Sequence, residues 1–281
     1  MKKYNTTSSS PEKSATSSTP IASSSTSATD DIFDVGPDIR TLEAQLLYLR
    51  LPCIRSSALE ISRQAATQGW DHLRYLSHLV EMETRSRYEK SAQRRVRAAR
   101  FPVIKTFDTF DWNWPTKIPR EAIESFLSLH FLQRKENLLF FGNPGLGKSH
   151  LATAIGYAAA LAGKNVLFAN AIDVVNRLHS AVCAHNLPAV LRQYTSPELL
   201  ILDELGYLPL DKQGGDLLFQ VISARYERAS IILTTNNVPA QWANTFNNDA
   251  ALASAILDRL SHHCHSIVLE GESYRSRKMK I

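Results

Sequence analysis

A chain of 281 residues with 44% apolar side chains is long enough for one large domain, or for a core domain with a smaller attachment. Its 32 Lys and Arg against 27 Asp and Glu leave a formal charge of +5, which permits a nucleic-acid partner without requiring one. Cys53, Cys183 and Cys264 are too few and too scattered for a disulfide framework or a C-x-x-C metal site, and no apolar run reaches bilayer length; an unexported chain of the reducing cytoplasm is expected.

Residues 1–37 are dominated by Ser and Thr and carry too few apolar groups to offset the entropy of ordering, so a disordered tail is expected there. A helical block follows over 38–105, with Leu42, Leu46, Leu47 and Leu49 on one apolar face and Leu73, Leu76, Leu79 and Val80 on another, punctuated by Pro52 and Gly69-Trp70. Its end is strongly basic: Arg85, Arg87, Lys90, Arg94, Arg95, Arg97 and Arg100 face only Glu89 as an opposing charge, and at these offsets they surround much of a helix. A duplex backbone could meet such a surface, whereas a merely solvated helix usually interleaves acids. Phe107, Phe110, Trp112 and Trp114 then lie in a connector over 106–119, kept irregular by Pro115 and Pro119; the rings are expected to pack it against the next domain.

From residue 120 the pattern becomes α/β. A helix is expected over 120–132, then strands at 137–141, 165–169, 199–204, 230–235 and 266–269, separated by helices at 149–161, 173–185 and 215–228, which implies a mainly parallel sheet. Between the first strand and its helix, Gly142-Asn143-Pro144-Gly145-Leu146-Gly147-Lys148-Ser149 matches G-x-x-x-x-G-K-[ST] in full, with His150 next. The glycines let backbone N–H groups turn toward an anion, the helix N-terminus and Lys148 add positive charge, and Ser149 is placed to hold Mg²⁺. Asp203 leaves an aliphatic strand at the edge where ligands of open α/β sheets bind, and a carboxylate there can also serve Mg²⁺. Glu204 points elsewhere and could take a proton from an attacking water. Asn236, closing the strand at 230–235, could orient that water, while Thr234 and Thr235 read as strand residues with satisfied hydroxyls. His262-His263-Cys264-His265 is contiguous, unlike the spaced ligands of a zinc site, and reads as structural. Tyr194-Thr195-Ser196-Pro197 reads as a loop without chemistry.

These residues resemble known elements. The run from Gly142 to Ser149, Leu200 to Glu204, Thr234-Thr235-Asn236, Asp258-Arg259-Leu260 and Ser273-Tyr274-Arg275 look like the Walker A, Walker B, sensor 1, arginine-finger and sensor 2 elements of AAA+ ATPases. Leu49-Arg50-Leu51-Pro52, Gly69-Trp70 and Arg97-Ala98-Ala99-Arg100-Phe101-Pro102 narrow the resemblance to IstB-like ATP-binding proteins, transposition helpers of insertion sequences related to DnaC helicase loaders. It implies an α/β P-loop NTPase fold over 120–281, preceded by a small helical domain. It further implies ATP and Mg²⁺ as ligands, assembly into a homo-oligomer on duplex DNA, and stimulation of a partner transposase. Arg259 would reach a neighbouring copy's γ-phosphate. Arg275 would serve as sensor 2, or would join Arg277, Lys278 and Lys280 in a basic tail. A helicase loader using ATP as a switch is the alternative; its protein-gripping module should show apolar anchors where this chain is Arg-rich. A small-molecule phosphotransferase would need an acceptor pocket and arginines closing over the phosphates, and the acid pair here suits hydrolysis instead.

Overall fold

The structure is a computed structural model that describes residues 38–114 and 117–279. The tail expected over 1–37, Pro115 and Lys280 lie outside the described residues, as do the side chains of Arg277 and Lys278. The chain divides into two compact units, one ending at Glu83 and one running from Thr84. Among the described residues no helix is long and apolar enough to cross a membrane.

In the first unit, α1 (Ile39–Tyr48) is capped by Asp38, whose carboxylate accepts from the Arg40 N–H. Pro52 opens α2 (Pro52–Gln68) at a position where its missing N–H costs nothing, and Gly69 closes it in the left-handed conformation (φ 61). The buried Glu83 carboxylate accepts from the N–H groups of Cys53 (2.9 Å) and Ile54 (3.1 Å), supplying the cap that Leu51 cannot. Of the eight apolar residues expected on two faces, Leu46 and Leu79 are buried; the other six are exposed, because so small a unit encloses little interior.

The third helix, α3 (His72–Ala98), begins in the first unit, but its residues from Thr84 on belong to the second. Tyr88 donates its hydroxyl to the Leu161 carbonyl (2.9 Å), Arg95 Nε donates to the Ala160 carbonyl (3.0 Å), and the fully buried Ala99 accepts from the Phe168 N–H (2.8 Å). The helical block expected over 38–105 is therefore divided at Glu83, since these contacts bind its basic end to the α/β domain.

That domain holds β1 (Asn137–Gly142), β2 (Val166–Asn170), β3 (Leu199–Leu205), β4 (Ser230–Thr235) and β5 (Cys264–Leu269). They form one parallel sheet in the order β2-β3-β4-β1-β5. Alternation explains why the strands read as unbroken apolar runs. Leu138, Phe140, Leu199, Ile201 and Ile232 face α6 (Lys148–Leu161) and the aromatic connector, while Leu139, Phe141, Leu200, Leu202 and Leu233 face α7 (Ala171–Cys183) and α9 (Lys212–Arg225).

Two expectations are corrected. The helix expected over 120–132 is broken into α4 (Arg120–Ser125), a single 3₁₀ turn and α5 (His130–Gln133), with Leu129 left-handed (φ 58) between them. Phe126, Leu129, Phe131 and Leu132 are all buried, which one face of a straight helix cannot achieve. Tyr194 and Thr195 close a helix, α8 (Leu187–Thr195), rather than lying in a loop. Arg225, almost fully buried, fastens this turn by donating to the carbonyls of Tyr194 (2.8 Å), Pro197 (2.9 Å) and Ser230 (2.7 Å). The remaining helices are α10 (Trp242–Thr245), α11 (Ala250–Ser261) and α12 (Tyr274–Met279).

Candidate nucleotide-binding site

At the C-terminal edge of the sheet lies a cavity of about 630 Å³, lined by the phosphate loop, the acid pair and Asn236. Two glycines of the loop have left-handed backbones, Gly145 (φ 84) and Gly147 (φ 92), and both are crowded. A Cβ at Gly147 would meet the Phe110 ring, and one at Gly145 would meet Ser273. The aromatic connector and the segment before α12 thus press the loop from two sides. Phe110 is itself held by Trp112, edge-on at 4.9 Å, and with Phe107 these two rings join the core that contains Leu138 and Phe140, so three of the four rings pack the connector onto the domain as expected.

Lys148, the first residue of α6, donates Nζ to the carbonyls of Gly142 (2.6 Å) and Asn143 (2.9 Å). Burial holds the ammonium below the ordinary lysine range; the Asp203 and Glu204 carboxylates pull it back up, and the Arg275 guanidinium adds to the lowering. Ser149 donates its hydroxyl to Asp203 Oδ1 (2.7 Å), and Thr234 donates to the same oxygen (2.5 Å). Hydroxyl and carboxylate oxygens are the donors a hard divalent cation takes, so this pair fits Mg²⁺.

Glu204 is set apart from its neighbour by the backbone. Between Leu202 and Leu205 β3 carries one more residue than β4, and Glu204 absorbs the excess with φ 60. Its N–H finds a partner in Thr234 Oγ1 (2.9 Å), and its carboxylate accepts from Asn170 Nδ2 (2.8 Å). Asn170 also caps α7, accepting from the Ile172 N–H. The sequence reading of Thr234 as a strand residue with a satisfied hydroxyl holds, but neither its link to the acid pair nor any role for Asn170 is expected there. The available signal was position alone, since each lies near the C-terminal end of a strand in the sheet.

The other expected residues divide. His150 lines the cavity and donates Nε2 to the Thr106 carbonyl (2.9 Å); burial lowers its pKa, the carbonyl bond opposes this, and Lys105 adds to the lowering. Arg275 also lines the cavity, on the first turn of α12, whose Tyr274 N–H donates to the Gly145 carbonyl (3.1 Å). Pro144 belongs to the lining, whereas Leu146 is buried beneath the loop. Arg259 is not among the lining residues: it lies on α11, donates to the Ala255 carbonyl (2.9 Å) and stacks its guanidinium on the Phe219 ring (4.6 Å). Arg85, Arg87, Lys90, Arg94, Arg97 and Arg100 are exposed. Arg95 differs from them: it is half-buried and tied to Ala160 and Ser91.

A parallel sheet with helices on both faces, a phosphate loop between β1 and α6, and an acid pair closing β3 define a P-loop NTPase of the AAA+ kind. The AMPPCP-bound DnaA from Aquifex aeolicus shares this fold, with a TM-score of 0.51 at 20% identity, over 64% of this chain and 56% of that one. Sequence relationship is closer elsewhere. The insertion-sequence IS5376 ATP-binding protein of Geobacillus stearothermophilus is 40% identical over 233 residues, 83% of this chain and 92% of that protein. The IS21 counterpart of Pseudomonas aeruginosa is 36% identical over 239 residues, 85% of this chain and 90% of that protein. The chain belongs to the family of IstB-like ATP binding proteins, whose profile matches residues 44–281.

Proposed function

We propose that this chain is a DNA-dependent ATPase of an insertion sequence, which assembles on duplex target DNA and directs a partner transposase. The observation that carries the reading is the division of labour at the end of β3: Asp203 is tied to Ser149 beneath the phosphate loop, while the bulge turns Glu204 to a separate partner, Asn170. The relatives' assignment to insertion sequences supports the transposition context over the helicase loader.

ATP is the substrate, with its phosphates held by the loop N–H groups, the N-terminus of α6 and Lys148. To reach them, Lys148 exchanges its bonds to the Gly142 and Asn143 carbonyls for phosphate oxygens. Ser149 and Asp203 hold Mg²⁺, which neutralises charge on the phosphate oxygens. Glu204 accepts the proton of the attacking water, Asn236 orients that water, and Arg275 adds positive charge from the side of α12. Arg259, outside its own chain's cavity, acts on the site of a neighbouring copy, which makes hydrolysis depend on assembly. The exposed arginines and Lys90 of the α3 region supply the phosphate contacts to DNA.

The test is the ATPase rate of the purified chain with and without long duplex DNA, together with its sedimentation in ATP and in ADP, with Glu204→Gln as control. Stimulation by duplex and large assemblies specific to ATP are expected, with hydrolysis lost in Glu204→Gln. A chain indifferent to duplex that forms a stable complex only with a replicative helicase would overturn the reading in favour of a loader.

A further inference from the structure

The ends of α9 and α11 carry a cluster that the nucleotide site does not use. After α9 come Tyr226 and Glu227, the latter with a left-handed backbone (φ 57); α11 ends at Ser261, with His262 and His263 next, before β5. One ligand atom from each of Glu227, His262 and His263 lies within 4.8 Å of the others, and all three side chains are exposed. Among the described residues this is the one group of three or more His, Cys, Asp or Glu donors gathered so closely.

The spacing suits a metal. His262 Nδ1 is 3.6 Å from Glu227 Oε1, and the two imidazole rings have centroids 4.2 Å apart. Ligand atoms at about 2.0–2.2 Å around a tetrahedral zinc ion stand roughly 3.3–3.5 Å from one another, so the first pair is already near coordination distance and rotamer adjustment brings in the third. The Tyr226 hydroxyl lies 2.9 Å from the same His262 Nδ1, so a cation bound through that nitrogen takes the place of this hydrogen bond. Two helices also end here, and the partial negative charge of their C-termini favours a cation. Two imidazoles and one carboxylate select a zinc-class ion over the Mg²⁺ expected beside Ser149. In the sequence the run from His262 to His265 reads as structural because it is contiguous, unlike the spaced ligands of a zinc site; the fold adds Glu227 from the end of α9.

We propose that Glu227, His262 and His263 form a surface site for a zinc-class divalent cation, separate from the nucleotide cavity, that fastens the end of α9 to the end of α11. These are the two helices between which Arg259 is held, through its stacking on Phe219.

The experiment titrates the untagged full-length chain with Co²⁺, followed by its visible absorption, and then displaces it with Zn²⁺. One equivalent per chain is expected, with Glu227→Gln, His262→Gln and His263→Gln each weakening affinity roughly tenfold or more. His265→Gln, which changes the neighbouring imidazole paired with Glu136, should leave the affinity unchanged. Because the three ligands are exposed, circular dichroism should show all three variants folded. Absence of saturable Co²⁺ uptake, or uptake indifferent to all three substitutions, would overturn the proposal.

Discussion

Replacing Thr234 by valine removes one hydroxyl and nearly preserves shape, and it tests the acid pair at its joint. The bulge in β3 takes the Glu204 N–H out of the strand ladder; Thr234 Oγ1 accepts that proton at 2.9 Å and donates its own to Asp203 Oδ1 at 2.5 Å. Thr234 is fully buried at 0% exposure, so water cannot replace either bond. A buried N–H left without a partner costs about 1–3 kcal/mol, and a hydrogen bond lost from a carboxylate about 1.5–3 kcal/mol. The Ser149 bond to Asp203 survives, and the two losses share one atom, so the expected total is about 2–4 kcal/mol. In a chain of this size that lowers Tm by roughly 4–16 °C. Thermal unfolding and steady-state ATPase measurements read the two consequences. Thr234→Val should melt early and lose about tenfold or more in kcat, with the KM for ATP little changed because the phosphate loop is untouched. Thr234→Ser should recover most of both. A valine variant melting within about 1 °C of the parent, with unchanged kcat, would refute the reasoning.

Arg225→Met should cost about 3–5 kcal/mol in urea unfolding, since it strips three carbonyls at Tyr194, Pro197 and Ser230 of their donor. Burial pushes the Arg225 pKa down to about 10, so the guanidinium is still charged at neutral pH, and Arg225→Lys cannot reproduce its fork. Asn170→Asp keeps an oxygen to cap α7 but loses the Nδ2 donor to Glu204; kcat should fall while the melting temperature stays near the parent's. His150 has a folded-state pKa below its ordinary value of 6.5, so the unfolded chain binds more protons between the two values. Its contribution to stability is therefore present above 6.5 and lost as pH falls through the folded value; urea midpoints of His150→Asn should flatten over that range.

Much of the α/β fold is legible because parallel strands buried on both faces read as apolar runs, and all five were expected close to where they lie. What misled was tertiary. The basic half of α3 looks like part of a separate helical block, and nothing in its own residues tells that Ala99 will accept the Phe168 N–H on the outer strand of the sheet. The interruption at Leu129 is equally hidden, because four apolar residues at 126, 129, 131 and 132 state only that all want burial. Arg225 sits in an apolar helix like any surface arginine, and its role depends on carbonyls brought from α8 and β4.

At the site, the motif residues announce themselves and their partners do not. Asp203 and Glu204 are adjacent, and ordinary strand alternation would already point them to opposite faces, Glu204 into the packed side of the sheet. A carboxylate cannot be left there without a partner. The bulge resolves this: with φ 60 at Glu204 the side chain becomes exposed, and the backbone N–H displaced from the ladder becomes the group that Thr234 must satisfy. The same Thr234 hydroxyl holds Asp203, so a single side chain on β4 fixes the acid proposed to hold the metal and the backbone of the proposed base together. A polar residue at the C-terminal end of a buried parallel strand, opposite an acid pair, is the pattern that follows from this. Without the register between β3 and β4 it looks like an ordinary strand threonine.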